Sequence, residues 1–322
     1  MTTSRAVASV DSDDDLLLEP SVAPDVIPVV TSDGGSLRVH AYGPEDGDPI
    51  VLIHGWTCRI EYWYPQINAF AKRQRVIAYD HRGHGESKLG RNRVSVEMLA
   101  DDLQAVLDAT VRPGKKALLV GHSMGGMTIM EWASRYPGNV NRLVSGIVLA
   151  STGADRILKD TAALPILGKV NGVRGVLTKA VVAAPVPLPP LGAVKKIFQY
   201  RALSPRATNA QVDFCFDIVA ACSPISRARW GLALGRVDVT RGLENMNVPV
   251  TVVAGTYDRL TPMSHSHKLV AQLEDAGVPV RLASLPGVGH MSNVEAATAF
   301  NEEVARLRVA GRQQSRYGAA AG

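Results

Sequence analysis

The sequence predicts an α/β fold: a mostly parallel, eight-stranded sheet flanked by helices, with an inserted helical cap. Three observations carry that expectation. Short runs that are apolar and β-branched nearly throughout, such as Ile50-Val-Leu-Ile53 and Val250-Thr-Val-Val-Ala254, read as strands buried on both faces, as parallel strands are. From residue 50 onward such runs alternate with stretches of helical periodicity, the pattern of a sheet covered on both sides. Between residues 155 and 238 the alternation stops, in a stretch rich in Ala, Val, Leu and Pro that is too long to be a loop.

Taken in order, residues 1–25 mix acidic and small residues with Pro20 and Pro24, and read as a flexible N-terminal arm. Strands are expected at 26–31, 36–42, 50–53, 75–79, 117–120, 143–150, 250–254 and 280–284. Ser95 can cap a helix whose Val96, Leu99, Leu103, Val106 and Leu107 share one face, and Arg112-Pro113-Gly114 then turns the chain into the next strand. Residues 26–154 and 239–310 thus form the core and 155–238 the cap, which has helical stretches such as 208–222. Residues 311–322 read as a loose tail.

Composition bounds the function. A chain of 322 residues, 46% hydrophobic and 20% charged, suits one large globular α/β domain with an insertion. No apolar run reaches the ~20 residues that span a bilayer. The first ten residues lack the basic start and longer apolar stretch of a secretory signal, so a cytoplasmic location is expected. The net charge of +5 is scattered in pairs such as Lys115-Lys116 and Lys195-Lys196, a solvated surface, and no basic run is interleaved with aromatics, so no nucleic-acid partner is expected. Three cysteines, Cys58, Cys215 and Cys222, cannot form a complete disulfide set. Cys215 and Cys222 on one helix would lie ~10.5 Å apart, beyond the ~7 Å reach of a bridge, so reduced thiols are expected. Cys58 reads as a packing residue.

Chemistry concentrates at Gly121-His-Ser-Met-Gly125, which follows the apolar run Ala117-Leu-Leu-Val120 and precedes a helical pattern. A side chain held on a sharp strand-to-helix turn needs glycines two positions either side, and Ser123 in that setting reads as a nucleophile. A serine hydroxyl needs a neighbouring base, and the base needs an orienting group. Asp258 in Gly255-Thr-Tyr-Asp258 and His290 in Gly287-Val-Gly-His290 both follow predicted strands, at the sheet edge where sites form, and the order Ser, Asp, His fits a nucleophile elbow. Their bland readings are a turn-forming aspartate and an exposed loop histidine. The oxyanion formed by attack calls for two amide donors: Met124, after the nucleophile at a helix start, and Trp56, presented by the turn His54-Gly55-Trp56. His265 and His267 read as a surface pair whose i, i+2 spacing does not share a helical face, so no metal is expected there, and no cofactor is implied.

These motifs together resemble the α/β-hydrolase family, in its cap-bearing esterase, lipase and epoxide-hydrolase-like branch, over residues 26–307. Asp80, Arg82, Gly83, Gly85 and Ser87 match a turn that in the family is structural. The resemblance implies Ser123 as nucleophile, His290 as general acid/base, Asp258 as its partner, and the Trp56 and Met124 amides as the oxyanion hole. Epoxide hydrolases and haloalkane dehalogenases of the family use an aspartate where this chain has Ser123, and Tyr200 is the only tyrosine between Asp155 and Asp238 where the former use a pair, so both chemistries are disfavoured. Serine chemistry implies acyl transfer. The expected substrate is a small-molecule carboxylic ester with an apolar acyl group, handled as by an esterase or lipase, with monoacylglycerols as one candidate. A thioesterase, a carbon–carbon bond hydrolase and a cofactor-free haloperoxidase-like perhydrolase share the same triad. A slow-turnover ligand receptor on the same fold is the alternative of a different class.

Overall fold

A computed structural model describes residues 13–155, 157, 189 and 191–319. Its main sheet has eight strands in the order β1 (Asp25–Val26), β4 (Val39–Tyr42), β6 (Val76–Tyr79), β5 (Ile50–Ile53), β7 (Ala117–His122), β8 (Val144–Ala150), β9 (Val250–Gly255) and β10 (Val280–Leu285). β1 and β4 pair antiparallel, and every pairing from β6 to β10 is parallel. β2 (Val29–Val30) and β3 (Ser36–Leu37) form a separate antiparallel ladder. The two strands expected at 26–31 and 36–42 therefore each divide. Pro28 has no N–H to offer a ladder, and the Arg38 N–H turns away to the Ser87 hydroxyl at 2.8 Å.

The central strands are buried along their whole length because both faces are covered. Successive residues alternate between two apolar layers. Val51, Ile53, Leu119 and Ile77 pack with helices α2 (Val96–Thr110) and α3 (Met124–Arg135), whereas Ile50, Leu52, Val120 and Val76 pack with α1 (Tyr64–Phe70) and the C-terminal helix. A short α4 (Pro137–Leu143) leads into β8. The helical insertion is described as α5 (Gly192–Ala202), α6 (Asn209–Ala220) and α7 (Pro224–Leu234); residues 158–188 of the expected cap lie outside the described residues. The core then resumes with α8 (Met263–Asp275), α9 (Ser292–Glu295) and α10 (Ala297–Ala319). Among the described residues no helix is long and apolar enough to cross a membrane.

Two terminal expectations are corrected. Residues 13–25 do not hang free: Asp13–Leu17 is a 3-10 helix whose Leu17 is buried, and Asn68 donates to the Leu16 and Leu18 carbonyls. Asp13 caps the start of α10 by accepting from the Thr298 N–H and hydroxyl, and Asp14 accepts from the Thr208 hydroxyl. Residues 1–12 of the expected arm lie outside the described residues. At the other end α10 continues to Ala319, through most of the expected tail, where Arg312, Gln313, Gln314 and Arg316 are all strong helix formers.

The turn after β6 is held by charge. Asp80 accepts from the N–H groups of Ile60 (2.7 Å) and Glu86 (2.9 Å), and Arg82 forks onto Asp102 while reaching Asp33 at 3.1 Å. All three members of that network are buried, so Arg82→Met leaves two carboxylates uncompensated. The expected loss is roughly 3–5 kcal/mol of stability, read as a lowered denaturation midpoint. A midpoint within experimental error of wild type would refute it.

Candidate active site

The apolar residues of β7 carry the chain through the sheet to Gly121 and His122, and α3 starts immediately after Ser123. Between them Ser123 sits at φ 52° and ψ −115°, a conformation that side-chain-bearing residues seldom adopt. The flanking glycines make it possible. A Cβ on Gly121 would lie 2.6 Å from the Gly125 carbonyl oxygen, and one on Gly125 would lie 2.0 Å from the Ile53 carbonyl oxygen on β5. The turn is fastened by the Ser123 N–H to Ala150 O (2.9 Å) and by the Thr152 hydroxyl to Ser123 O (2.7 Å). Met124 is the first residue of α3, so its N–H has no intrahelical partner and points from the positive end of the helix dipole.

The loop after β5 packs against this elbow. A Cβ on Gly55 would stand 3.2 Å from the Ser123 Cβ, so only a glycine lets the chain pass and bring Trp56 next to the serine's turn. The Trp56 indole donates to the Arg227 carbonyl of α7 at 3.1 Å, tying this loop to the cap. The ring packs into the apolar cluster that contains Met124 and Trp230.

Asp258 and His290 meet across the ends of β9 and β10. The imidazole Nδ1 lies 2.8 Å from Asp258 Oδ2, and both side chains are buried. The carboxylate is fully engaged: the Leu260 and Thr261 N–H groups donate to Oδ1 at 2.8 Å each, and the Thr261 hydroxyl donates to Oδ2 at 2.7 Å. Burial pushes the Asp258 pKa up, but His290 and these donors outweigh it and hold the carboxyl below its ordinary value. An ionised carboxylate only accepts, so Nδ1 carries the proton and Nε2 keeps its lone pair, the tautomer a proton acceptor needs.

Sequence reasoning missed three side chains around this pair. Nε2 of His122 donates to the His290 carbonyl at 2.9 Å, with the rings 4.8 Å apart; burial, with His290 beside it, pushes the His122 pKa down to about 3, so it stays neutral. Thr261 holds Asp258. Glu295 accepts from the Gly289 and Ser204 N–H groups, on either side of the junction between the His290 loop and the cap. His122 stands inside the glycine motif and Thr261 just ahead of Pro262, so both had a signal nearby; Glu295 had none. Among the described residues the Ser123 hydroxyl makes no hydrogen bond to His290, and His122 is the residue that joins the elbow to that loop.

The histidines elsewhere are structural. His54 accepts the His81 N–H at 2.9 Å, and its neighbours His81 and His84 are equally buried. His265, expected at the surface, is buried against Gly153, while His267 is exposed. The turn beyond β8 folds back over the start of α8, which spacing along α8 alone did not reveal. Among the described residues no cluster of histidine, cysteine and acidic side chains is arranged to hold a metal ion. Cys58 is buried in the same apolar layer as Cys215, and burial pushes its thiol pKa up, the state of an unreactive thiol.

A family model described as alpha/beta hydrolase fold matches residues 48–163. The chain is 31% identical over 281 residues to a protein of Caulobacter sp. (strain K31) described as a carbamate hydrolase, covering 85% of this chain and 95% of that one. It is 28% identical over 298 residues to a bifunctional esterase/perhydrolase of Acinetobacter calcoaceticus, covering 87% and 99%. In structure it is similar to a thermophilic esterase from Thermogutta terrifontis, with a TM-score of 0.70 at 21% identity over 89% of this chain and 98% of that one.

Proposed function

The chain belongs to the alpha/beta hydrolase fold family, and from that premise we propose that it is a serine hydrolase of carboxylic esters with apolar acyl groups. One observation supports the reading above others: a buried Asp258–His290 pair whose loop is joined, through the His122 ring and the His290 carbonyl, to a strand-to-helix turn that holds Ser123 at φ 52°. In this mechanism Ser123 Oγ attacks the ester carbonyl as His290 Nε2 takes its proton. The tetrahedral oxyanion is met by the Met124 and Trp56 amides, each such donor contributing about 3 to 4 kcal/mol to transition-state stabilisation. Collapse expels the alcohol, which receives the proton from His290. Water then attacks the acyl-enzyme with His290 as base, returning the free serine and a carboxylic acid. The relative named as an esterase/perhydrolase supports a second acceptor, hydrogen peroxide in place of water, at the same acyl-enzyme.

Support for an apolar acyl group comes from the Ala, Val, Leu and Pro-rich composition of the inserted segment 155–238, since each CH₂ buried contributes ~0.8 kcal/mol. A panel of p-nitrophenyl esters of increasing chain length tests this. kcat/KM is expected to rise by up to about fourfold per added CH₂ until the cleft is filled. A profile flat with chain length would remove the apolar preference and leave the serine mechanism standing. Matched thioesters, and peroxide added to the assay, assign the leaving group and the acceptor.

A further inference from the structure

His290 sits in the loop between β10 and α9, preceded by glycines at 287 and 289, and backbone of that kind does not hold an imidazole in place by itself. Four neighbours do. Asp258 engages Nδ1, and His122 donates to the His290 carbonyl. Ala202, at the end of cap helix α5, accepts the N–H groups of His290 (3.0 Å) and Met291 (3.3 Å). The fourth is Glu295, whose carboxylate oxygens both accept the Gly289 N–H at 3.1 Å while Oε2 also accepts the Ser204 N–H at 2.7 Å.

One part-buried carboxylate thus ties the residue before His290 to the chain just as it leaves α5. The junction has no slack: a Cβ on Gly289 would lie 2.6 Å from both Leu203 C and Ser204 N, and 2.7 Å from Glu295 Oε1. Gln211 of α6 adds a second tie, donating to the Val294 carbonyl at 3.2 Å. Removing a carboxylate from water is costly unless its hydrogen bonds are replaced, and here they are replaced by exactly those N–H groups that join the loop to the cap.

We infer that Glu295 is a positioning residue, which sets His290 with respect to Ser123 by locking the histidine loop to the stem of the cap. This rests on the reading of His290 as the general base. Its consequence is that the cap stem and the base move as one unit, so whatever seats the cap seats the base.

The variant Glu295→Gln keeps the side-chain volume; its amide oxygen at the Oε2 position can still accept both N–H groups, but its N–H₂ then stands at the Oε1 position, donor against the Gly289 N–H, so the two-oxygen grip on the residue before His290 becomes a donor–donor contact. Glu295→Asp, which keeps the charge without the reach, is the second variant. Glu302→Gln, an exposed position on α10, controls for the change in net charge. Misplacing a reacting group by an ångström costs on the order of 100-fold in rate. Glu295→Gln is therefore expected to lower kcat about 100-fold, and Glu295→Asp about 10-fold, with KM changed less than about threefold and each rate referred to the folded fraction. The control keeps the wild-type rate. In a His290→Ala background the added Glu295→Gln changes the residual rate less than about twofold, because no imidazole remains to be placed. A wild-type kcat in folded Glu295→Gln, or a full additional loss in the His290→Ala background, overturns the inference. Wild-type turnover by His290→Ala overturns the reading of the base as well, so the two failures are distinguishable.

Discussion

Ser123→Ala lowers kcat/KM for esters by about 10⁴-fold or more, with substrate binding changed only a few-fold. The loss is chemical rather than structural. Alanine keeps the Cβ that the elbow already accommodates at φ 52°, and the bonds that fasten the turn run through the Ser123 N–H and carbonyl, which the substitution leaves intact. Stability is therefore expected to stay within about 0.5 kcal/mol of wild type. Gly125→Ala behaves in the opposite way, because its new Cβ meets the Ile53 carbonyl and pushes β5 from the elbow. The measurement is steady-state kinetics on a p-nitrophenyl ester, paired with fluorophosphonate labelling and peptide mapping. An adduct on any other residue, or full turnover by Ser123→Ala, would sink the assignment.

The parts of this molecule that were legible in the sequence are those whose determinants are local. Strands β5, β6, β7 and β9 are apolar nearly throughout because they are buried on both faces, and the edge strand expected at 280–284 is found as Val280–Leu285, with Arg281 and Ser284 exposed. The N-terminal region was not legible for the same reason turned round. Its strands are two to four residues long, too short for a period to show. The acidic run at Asp13–Leu17 reads as a solvated arm until Thr208 and Thr298, distant in the chain, supply the donors it accepts from. The site divides likewise. Ser123, Asp258 and His290 were expected together because each follows a strand, in an order with chemical meaning, and the structure brings Asp258 within 2.8 Å of His290. Glu295 and His122 act on backbone N–H and C=O groups of distant segments, and backbone partners leave no mark in side-chain sequence.

Asp258→Asn lowers kcat by about 10³- to 10⁴-fold while KM stays nearly constant. The amide is isosteric, and its carbonyl oxygen can still accept the Leu260 and Thr261 N–H groups that Asp258 Oδ1 accepts at 2.8 Å. Its NH₂ then replaces Oδ2 and faces the Thr261 hydroxyl and His290 Nδ1. That group donates where the carboxylate accepted, so Nδ1 becomes the unprotonated nitrogen and Nε2 carries the proton, leaving nothing to receive the proton of Ser123. Fluorophosphonate labelling slows in parallel, since it needs the same base; a kcat within about tenfold of wild type would show that Asp258 does not set the tautomer. The pH dependence of stability follows with a definite sign. The folded-state pKa of Asp258 lies below the ordinary 3.8, so the hydrogen bonds its carboxylate accepts stabilise the fold above that value and are lost as pH falls through the depressed one. Asp258→Asn lacks this contribution, and its stability deficit relative to wild type is expected to be constant near neutrality and to shrink only below about pH 4.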